Sequence, residues 1–286
     1  SGPAGAGLVH GLKLVAVAIV AQAVWGMARS LCPDRERASI ATVAALVILT
    51  SASSIAQIGA IVLGAIAGLW LCRAQTANGA THIAMPVSRR VGLGALILFI
   101  ALLVGLPLLA RTWPGLGLFE AFYRSGALVF GGGHVVLPLL EQATVPTGLV
   151  DHDTFLAGYG AAQAVPGPLF TFASFLGASA QGVPWWWGAI LATVAIFLPA
   201  ALLVVGVMPF WDRIRAQPAA SLALSGANAA VVGILAAALY NPVFTAGITG
   251  AGTMAIAAAA FVALQEWKVP AWAVVVAAAL VGWVAL

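Results

Sequence analysis

Charge is scarce in this 286-residue chain: 12 Lys and Arg with 8 Asp and Glu make up 7% of it, against 63% hydrophobic residues. Soluble domains carry roughly 25% charged and 45–50% apolar residues. That excludes a soluble globular enzyme, and disordered and fibrous classes with it. Cysteine is almost missing. Cys32 and Cys72 show no CxxC spacing and no histidine at metal-ligand distance, so they read as small buried hydrophobes rather than a disulfide framework. The net charge of +4 is small and its basic residues sit in short loops, which excludes the clustered basic face of a nucleic-acid binder. No GxxxxGK(S/T) phosphate loop is present. No secretory leader opens the sequence; Ser1-Gly2-Pro3 runs directly into Gly/Ala-rich apolar material, which reads as a chain whose beginning lies upstream.

Apolar sequence in long runs is what remains. Residues 38–72, 91–110, 154–211, 216–265 and 269–286 carry no Asp, Glu, Lys or Arg. A bilayer core of about 30 Å takes roughly 20 helical residues to cross, so the two longest runs each hold two crossings, or one crossing and a re-entrant piece. The alternating ten-residue pattern of a β-barrel is absent. The fold class is all-α integral membrane: a polytopic helical bundle in contact with the lipid bilayer.

Along the chain, helices are expected at 5–28, 38–52, 55–72, 91–110, 115–129, His134 to Gln142, 152–180 with an interruption, 185–210, 218–239, 252–265 and 270–286. The polar stretch Arg29–Arg37 is predicted as a loop, and Arg73–Arg90 has linker composition. The two ends of the chain are alike. Gly7-Leu-Val-His-Gly-Leu-Lys13 opens a helix followed by a pair ending Gly68-Leu69-Trp70; Ser225-Gly226-Ala227-Asn228 opens another, followed by a pair ending Val281-Gly282-Trp283. Basic residues flank the first pair (Arg29, Arg35, Arg37, Arg73, Arg89, Arg90), whereas in the second the turn carries Lys268. Lys and Arg in short loops stay cytoplasmic, so the copies read as inverted-topology repeats of the kind used by secondary transporters.

Gly131-Gly132-Gly133-His134 lies between apolar segments. Glycines permit left-handed backbone and close approach of N–H groups to a ligand, and a helix starting after them points its unpaired donors and positive dipole end into that space. The competing reading is tight helix packing with a C-cap glycine. In Pro166-Gly167-Pro168 two prolines interrupt the helix and free carbonyls within the membrane; broken helices of this type place binding sites at mid-bilayer, and a simple kink is the alternative. Lys13, with His10 one turn earlier, is a cation inside an apolar helix: either a functional charge or a snorkelling side chain. Arg124 stands at i,i+4 from Glu120 and either pairs with it or serves as an oxyanion ligand. Glu141, seven residues after His134, is a coupling candidate or a polar helix end, and His10 a second one. Asp151-His152-Asp153 reads as a helix cap, and Trp185-Trp186-Trp187 as an interfacial belt.

Phe130-Gly131-Gly132-Gly133-His134-Val135-Val136-Leu137-Pro138-Leu139 resembles the second-half signature of the chromate transporter (CHR) family, long-chain type. The resemblance extends through Gly158-Tyr159-Gly160 and Gln163-Ala164-Val165-Pro166-Gly167-Pro168, and the Gly7–Arg37 stretch is similar to the tail of that family's first half. It implies an inner-membrane, multi-pass exporter of chromate, driven by the membrane potential and built from two homologous halves. The first-half glycine/proline signature of long-chain members would lie before Ser1. On that basis residues 1–72 are the end of one repeat, 73–111 a linker and connecting helix, and 112–286 a complete second repeat. The expected ligand is chromate or a sulfate-like oxyanion, bound by Gly131, Gly132, Gly133, His134, Gln163, Pro166, Gly167 and Pro168, with Lys13 or Arg124 as countercharge; no cofactor or metal is expected. The alternative is a non-transporting membrane subunit or interaction module that needs a partner half; whether the chain pairs with a second copy is left open.

Overall fold

The computed structural model describes residues 3–51, 53–73, 87–129, 133–165, 168–215 and 217–285. Among them the regular structure is helical: α1 (Pro3–Leu31), α2 (Arg35–Thr50), α3 (Ser54–Leu71), α4 (Arg89–Thr112), α5 (Gly117–Ala127), α6 (Val136–Thr144) and α7 (His152–Ala162). There follow α8 (Phe172–Ser179), α9 (Trp185–Val207), α10 (Trp211–Arg215), α11 (Pro218–Ala238), α12 (Thr245–Gly247), α13 (Ala251–Gln265) and α14 (Ala271–Ala285). Among the described residues four segments are long and apolar enough to cross a membrane: Gly7–Leu31, Arg89–Thr112, Trp185–Phe210 and Pro218–Gly247. The chain is a polytopic helical membrane protein.

The predicted loop Arg29–Arg37 is shorter than expected. α1 runs on to Leu31, and α2 starts at Arg35 because Asp34 caps it. The Asp34 carboxylate accepts from the Arg37 backbone N–H at 2.8 Å and from Arg37 Nε at 2.7 Å. A carboxylate at an N-cap satisfies orphan donors and favours the positive helix end; it turns charged sequence that reads as loop into a first helical turn. Most of the linker, 74–86, lies outside the described residues, and Ser88 caps α4 by accepting from the Val91 N–H.

The long helices and the hairpins are cross-packed. α1 lies against α13 and α14, while α11 lies against α2 and α3. Both contacts are backbone to backbone. A Cβ added to Gly11 would run into the Ala278 carbonyl, and one on Gly282 into Gly7 and Gly11. In the other unit a Cβ on Gly226 would strike Gly64 and Gly68, and one on Gly68 would strike Leu222 and Gly226. Small residues four apart allow this approach, which in lipid supplies van der Waals contact that the hydrophobic effect cannot.

Between these units, residues 117–179 form four helices of 11, 9, 11 and 8 residues. At 1.5 Å per residue none exceeds roughly 17 Å, about half of a hydrocarbon core; among the described residues no helix within 115–145 is long enough to span a bilayer. α5 and α8 are carried by α9, which they approach through Gly126 against the Ile196 carbonyl and Gly177 against Gly188, while α7 packs on α1 and α6 on α5. α4 covers the outside of α9 and α5 and leaves Ile97, Ile100 and Val104 exposed.

Candidate functional site

The chemistry-bearing residues concentrate in the short-helix region, and α7 organises them. Asp151 caps α7 by accepting from the Thr154 N–H at 2.9 Å, an interaction that holds its carboxyl below the usual range. Gly158 and Gly160 then let the helix settle onto its neighbours: a Cβ on Gly158 would enter the Phe175 ring, and one on Gly160 would meet the Leu12 carbonyl. Tyr159, between them, is fully buried, with its ring edge-to-face with Phe172 at 5.6 Å. The Gly-Tyr-Gly sequence thus fixes where the Tyr159 hydroxyl goes.

That hydroxyl lies 2.9 Å from His134 Nδ1. His134 is half-buried in a 3-10 turn, Gly133–Val135, that leads into α6. On the far side, α7 ends with Gln163, and the chain re-enters helix through the 3-10 turn Leu169–Thr171 after an extended Pro168. The two interruptions meet. A Cβ on Gly133 would stand 3.4 Å from Leu169 Cβ, and the two 3-10 turns are in contact. Gln163 Nε2, at the end of α7, is buried without a hydrogen-bond partner among the described residues. Gly131, Gly132, Pro166 and Gly167 lie outside the described residues. Gly133 adopts helical rather than left-handed backbone, so the torsional freedom expected of it is not used at that position.

The expected countercharges are engaged elsewhere. Lys13 is 9% exposed and its ammonium contacts Asp153 Oδ1 at 2.5 Å, across the α1–α7 contact. His10 Nε2 is 3.0 Å from the Gly247 carbonyl. Arg124 Nε lies 2.7 Å from Glu120 Oε1, the ion pair that their i,i+4 spacing allows. The cleft beside Arg124, shared with Gln57, Ser125 and Leu139, has a volume of about 10 Å³, room for roughly one water. Glu141 is half-buried on α6.

Four polar residues of this region were not singled out as site residues from sequence. Tyr159 holds His134; Asp153 holds Lys13; Gln57 is buried and donates to the Pro138 carbonyl of α6 at 3.3 Å. Asn228 Oδ1 is buried without a partner among the described residues on α11, which also contacts the Gly133–Val135 turn. The available signals were Tyr159's place within Gly158-Tyr159-Gly160 and Asn228's match to Lys13 in the two helix openings.

The profile of the family described as Chromate transporter matches residues 116–283, the region just built from its residues. The chromate transport protein of Pseudomonas aeruginosa is 31% identical over 180 residues, 58% of this chain and 40% of that protein. The chromate transport protein of Cupriavidus metallidurans is 30% identical over 129 residues, 44% of this chain and 31% of that one. The chain therefore spans less than half the length of these curated relatives. No solved structure matches it. With more than half of its length covered by the family profile, this chain belongs to the chromate transporter family.

Proposed function

We propose that the protein moves chromate, a sulfate-like tetrahedral dianion, outward across the inner membrane, and that the ion binds where the Gly133–His134 turn meets the break ending at Leu169. The observation that carries this is the contact of two helix interruptions beside a histidine anchored by a buried tyrosine. A Tyr159 hydroxyl donating to Nδ1 leaves the proton on Nε2, free to donate to an oxyanion; Gln163 Nε2 adds a second unspent donor. The start of α6 contributes its unpaired backbone N–H groups. Gly131, Gly132, Pro166 and Gly167 complete the proposed lining. Lys13 and Arg124, each already paired, act as fixed structural charges unless transport exchanges their partners.

Outward movement of a dianion is favoured by an inside-negative potential at about 2.3 kcal/mol per charge per 100 mV. The cross-packing of α1 on α13–α14 and of α11 on α2–α3 supports the inverted-repeat reading, with 1–72 and 112–286 as its parts: each long helix of one copy seats on the other copy's hairpin. Purified protein in vesicles, with labelled chromate and an imposed potential, tests the proposal. Potential-dependent uptake that His134→Ala and Gln163→Ala both abolish supports the site; wild-type flux in both variants rejects it. The short span relative to the curated relatives favours a second reading, a subunit that needs a partner half or a second copy. Flux that appears only when the longer relatives' first half is co-expressed would establish that reading.

A further inference from the structure

The outward faces of the two hairpins are not flat. Between α2 and α3 lies an apolar groove of about 220 Å³, which runs from Ser39 and Leu71 at one end to Val47 and Ala60 near the turn. Its lining is aliphatic except for Ser39. Charge is confined to one mouth. Arg35 opens α2 and Arg73 follows α3, both exposed, and Arg37, which lies beside them, is bound to Asp34. The ends of the two helices converge: the Asp34 carboxyl is held below the usual range first by the Arg37 hydrogen bonds and also by the nearby Arg73 charge. Arg35 and Arg73 thus stand exposed above a groove of aliphatic width, and together with Arg37 they outnumber the carboxylates of Asp34 and Glu36 at that mouth by one. Trp70, 84% exposed at the same end, is placed as an interfacial anchor. The α13–α14 hairpin has a comparable groove of about 390 Å³ from Ile256 and Val281 to Trp267 and Val269, and the single cation at its mouth is Lys268. Both grooves carry their cations at one end only, the end that loop charge assigns to the cytoplasmic leaflet.

We propose that the α2–α3 groove is a binding site for an anionic phospholipid: one acyl chain lies along Ile40, Val43, Val47 and Leu63, and the phosphate is held by Arg35 and Arg73. Complementarity decides the occupant. A second copy of this chain would bring to the mouth, from its own matching hairpin, the same excess of Arg35, Arg37 and Arg73 over Asp34 and Glu36, whereas a phospholipid supplies an aliphatic chain and an anionic head at the required separation. Each basic residue near an anionic headgroup is worth roughly a factor of five.

The test is native mass spectrometry of the full chain, released from micelles that contain equal phosphatidylglycerol and phosphatidylcholine of matched acyl chains. Retention of phosphatidylglycerol in preference is expected, with loss of about thirtyfold in Arg35→Ala/Arg73→Ala. Arg35→Lys/Arg73→Lys should keep most of it. Ala67→Phe, which fills the groove and leaves both charges in place, should expel the lipid without lowering the melting temperature. Equal retention of the two lipids, or undiminished phosphatidylglycerol in both the double alanine and the Ala67→Phe proteins, overturns the proposal. So does a dimer by light scattering that Ala67→Phe dissociates while lipid retention is unchanged, since that makes a second copy the occupant.

Discussion

The crossed helix–hairpin units and the short-helix region between them are built from the same apolar alphabet to opposite ends. In the outer units, helices of 29 and 21 residues meet hairpins through glycine backbones, and few polar side chains lie in the contacts. In the central region, helices of 8 to 11 residues stop mid-sequence, and the polar groups that remain are aimed at one another: Tyr159 at His134, Gln57 at the Pro138 carbonyl, Arg124 at Glu120. In lipid a continuous helix satisfies its own backbone, whereas an interrupted one needs partners from neighbouring elements. The outer units therefore act as a frame, and it is in the interrupted helices that the proposed function places the ion.

The sharpest way to break this contrast is to thicken the frame. Gly226→Val places methyl groups into Gly64 and Gly68, with no side chain to move aside, and should cost about 3 kcal/mol; thermal melting in detergent reads it. Gly94→Ala, on the open face of α4 with nothing within 4 Å, should be neutral or stabilising by up to about 1 kcal/mol. Equal losses in the two variants would show that glycine backbone contact is not what joins the units.

A second prediction addresses the central region. Tyr159→Phe removes the partner of His134 Nδ1 and leaves the ring packed against Phe172. Chromate flux should fall about tenfold, corresponding to about 1.4 kcal/mol, with a stability loss of only about 1 kcal/mol. Unchanged flux with a lower melting temperature would assign Tyr159 to packing alone. The ion pair between frame and centre should matter less. Asp153 is 68% exposed, so water screens it, and Asp153→Asn should cost about 1 kcal/mol or less despite the burial of Lys13.

The smallest effect concerns the start of α2. The Asp34 carboxyl is depressed by its hydrogen bonds to Arg37, so its contribution is complete above the unfolded carboxylate value of about 3.9 and is lost as pH falls through the lower folded value. Asp34→Ala should cost about 1 kcal/mol at neutral pH, and the gap between mutant and wild-type melting should close below about pH 4. A gap that persists in acid would mean that the cap acts by something other than its charge.

Much of this organisation is legible from residues alone. Charge-free runs locate three of the four segments long and apolar enough to cross a membrane, since partition into lipid is a sum over residues and needs no knowledge of contacts, whereas Gly7–Leu31 carries Lys13 and Arg29 and stands out by its hydropathy instead. The glycine–histidine and proline interruptions are visible as chemistry that an apolar helix would not otherwise carry, and their motif carries the family. Local capping was misjudged at Asp34, where a run of charges is a helical turn rather than a loop.

Composition and the placement of charge determined that this is an interrupted helical membrane protein, because each is a local property of the chain, and a resemblance in two motifs pointed to its family. Only the tertiary structure decided that Lys13 pairs with Asp153, 140 residues away, that Tyr159 holds His134, and that each long helix seats on the far hairpin. Those outcomes depend on which backbones approach closely enough to bring distant side chains into range. That closeness is set by glycines on both partners where the long helices meet the hairpins and by Gly160 against the Leu12 backbone where α7 meets α1, so neither partner's sequence specifies it by itself.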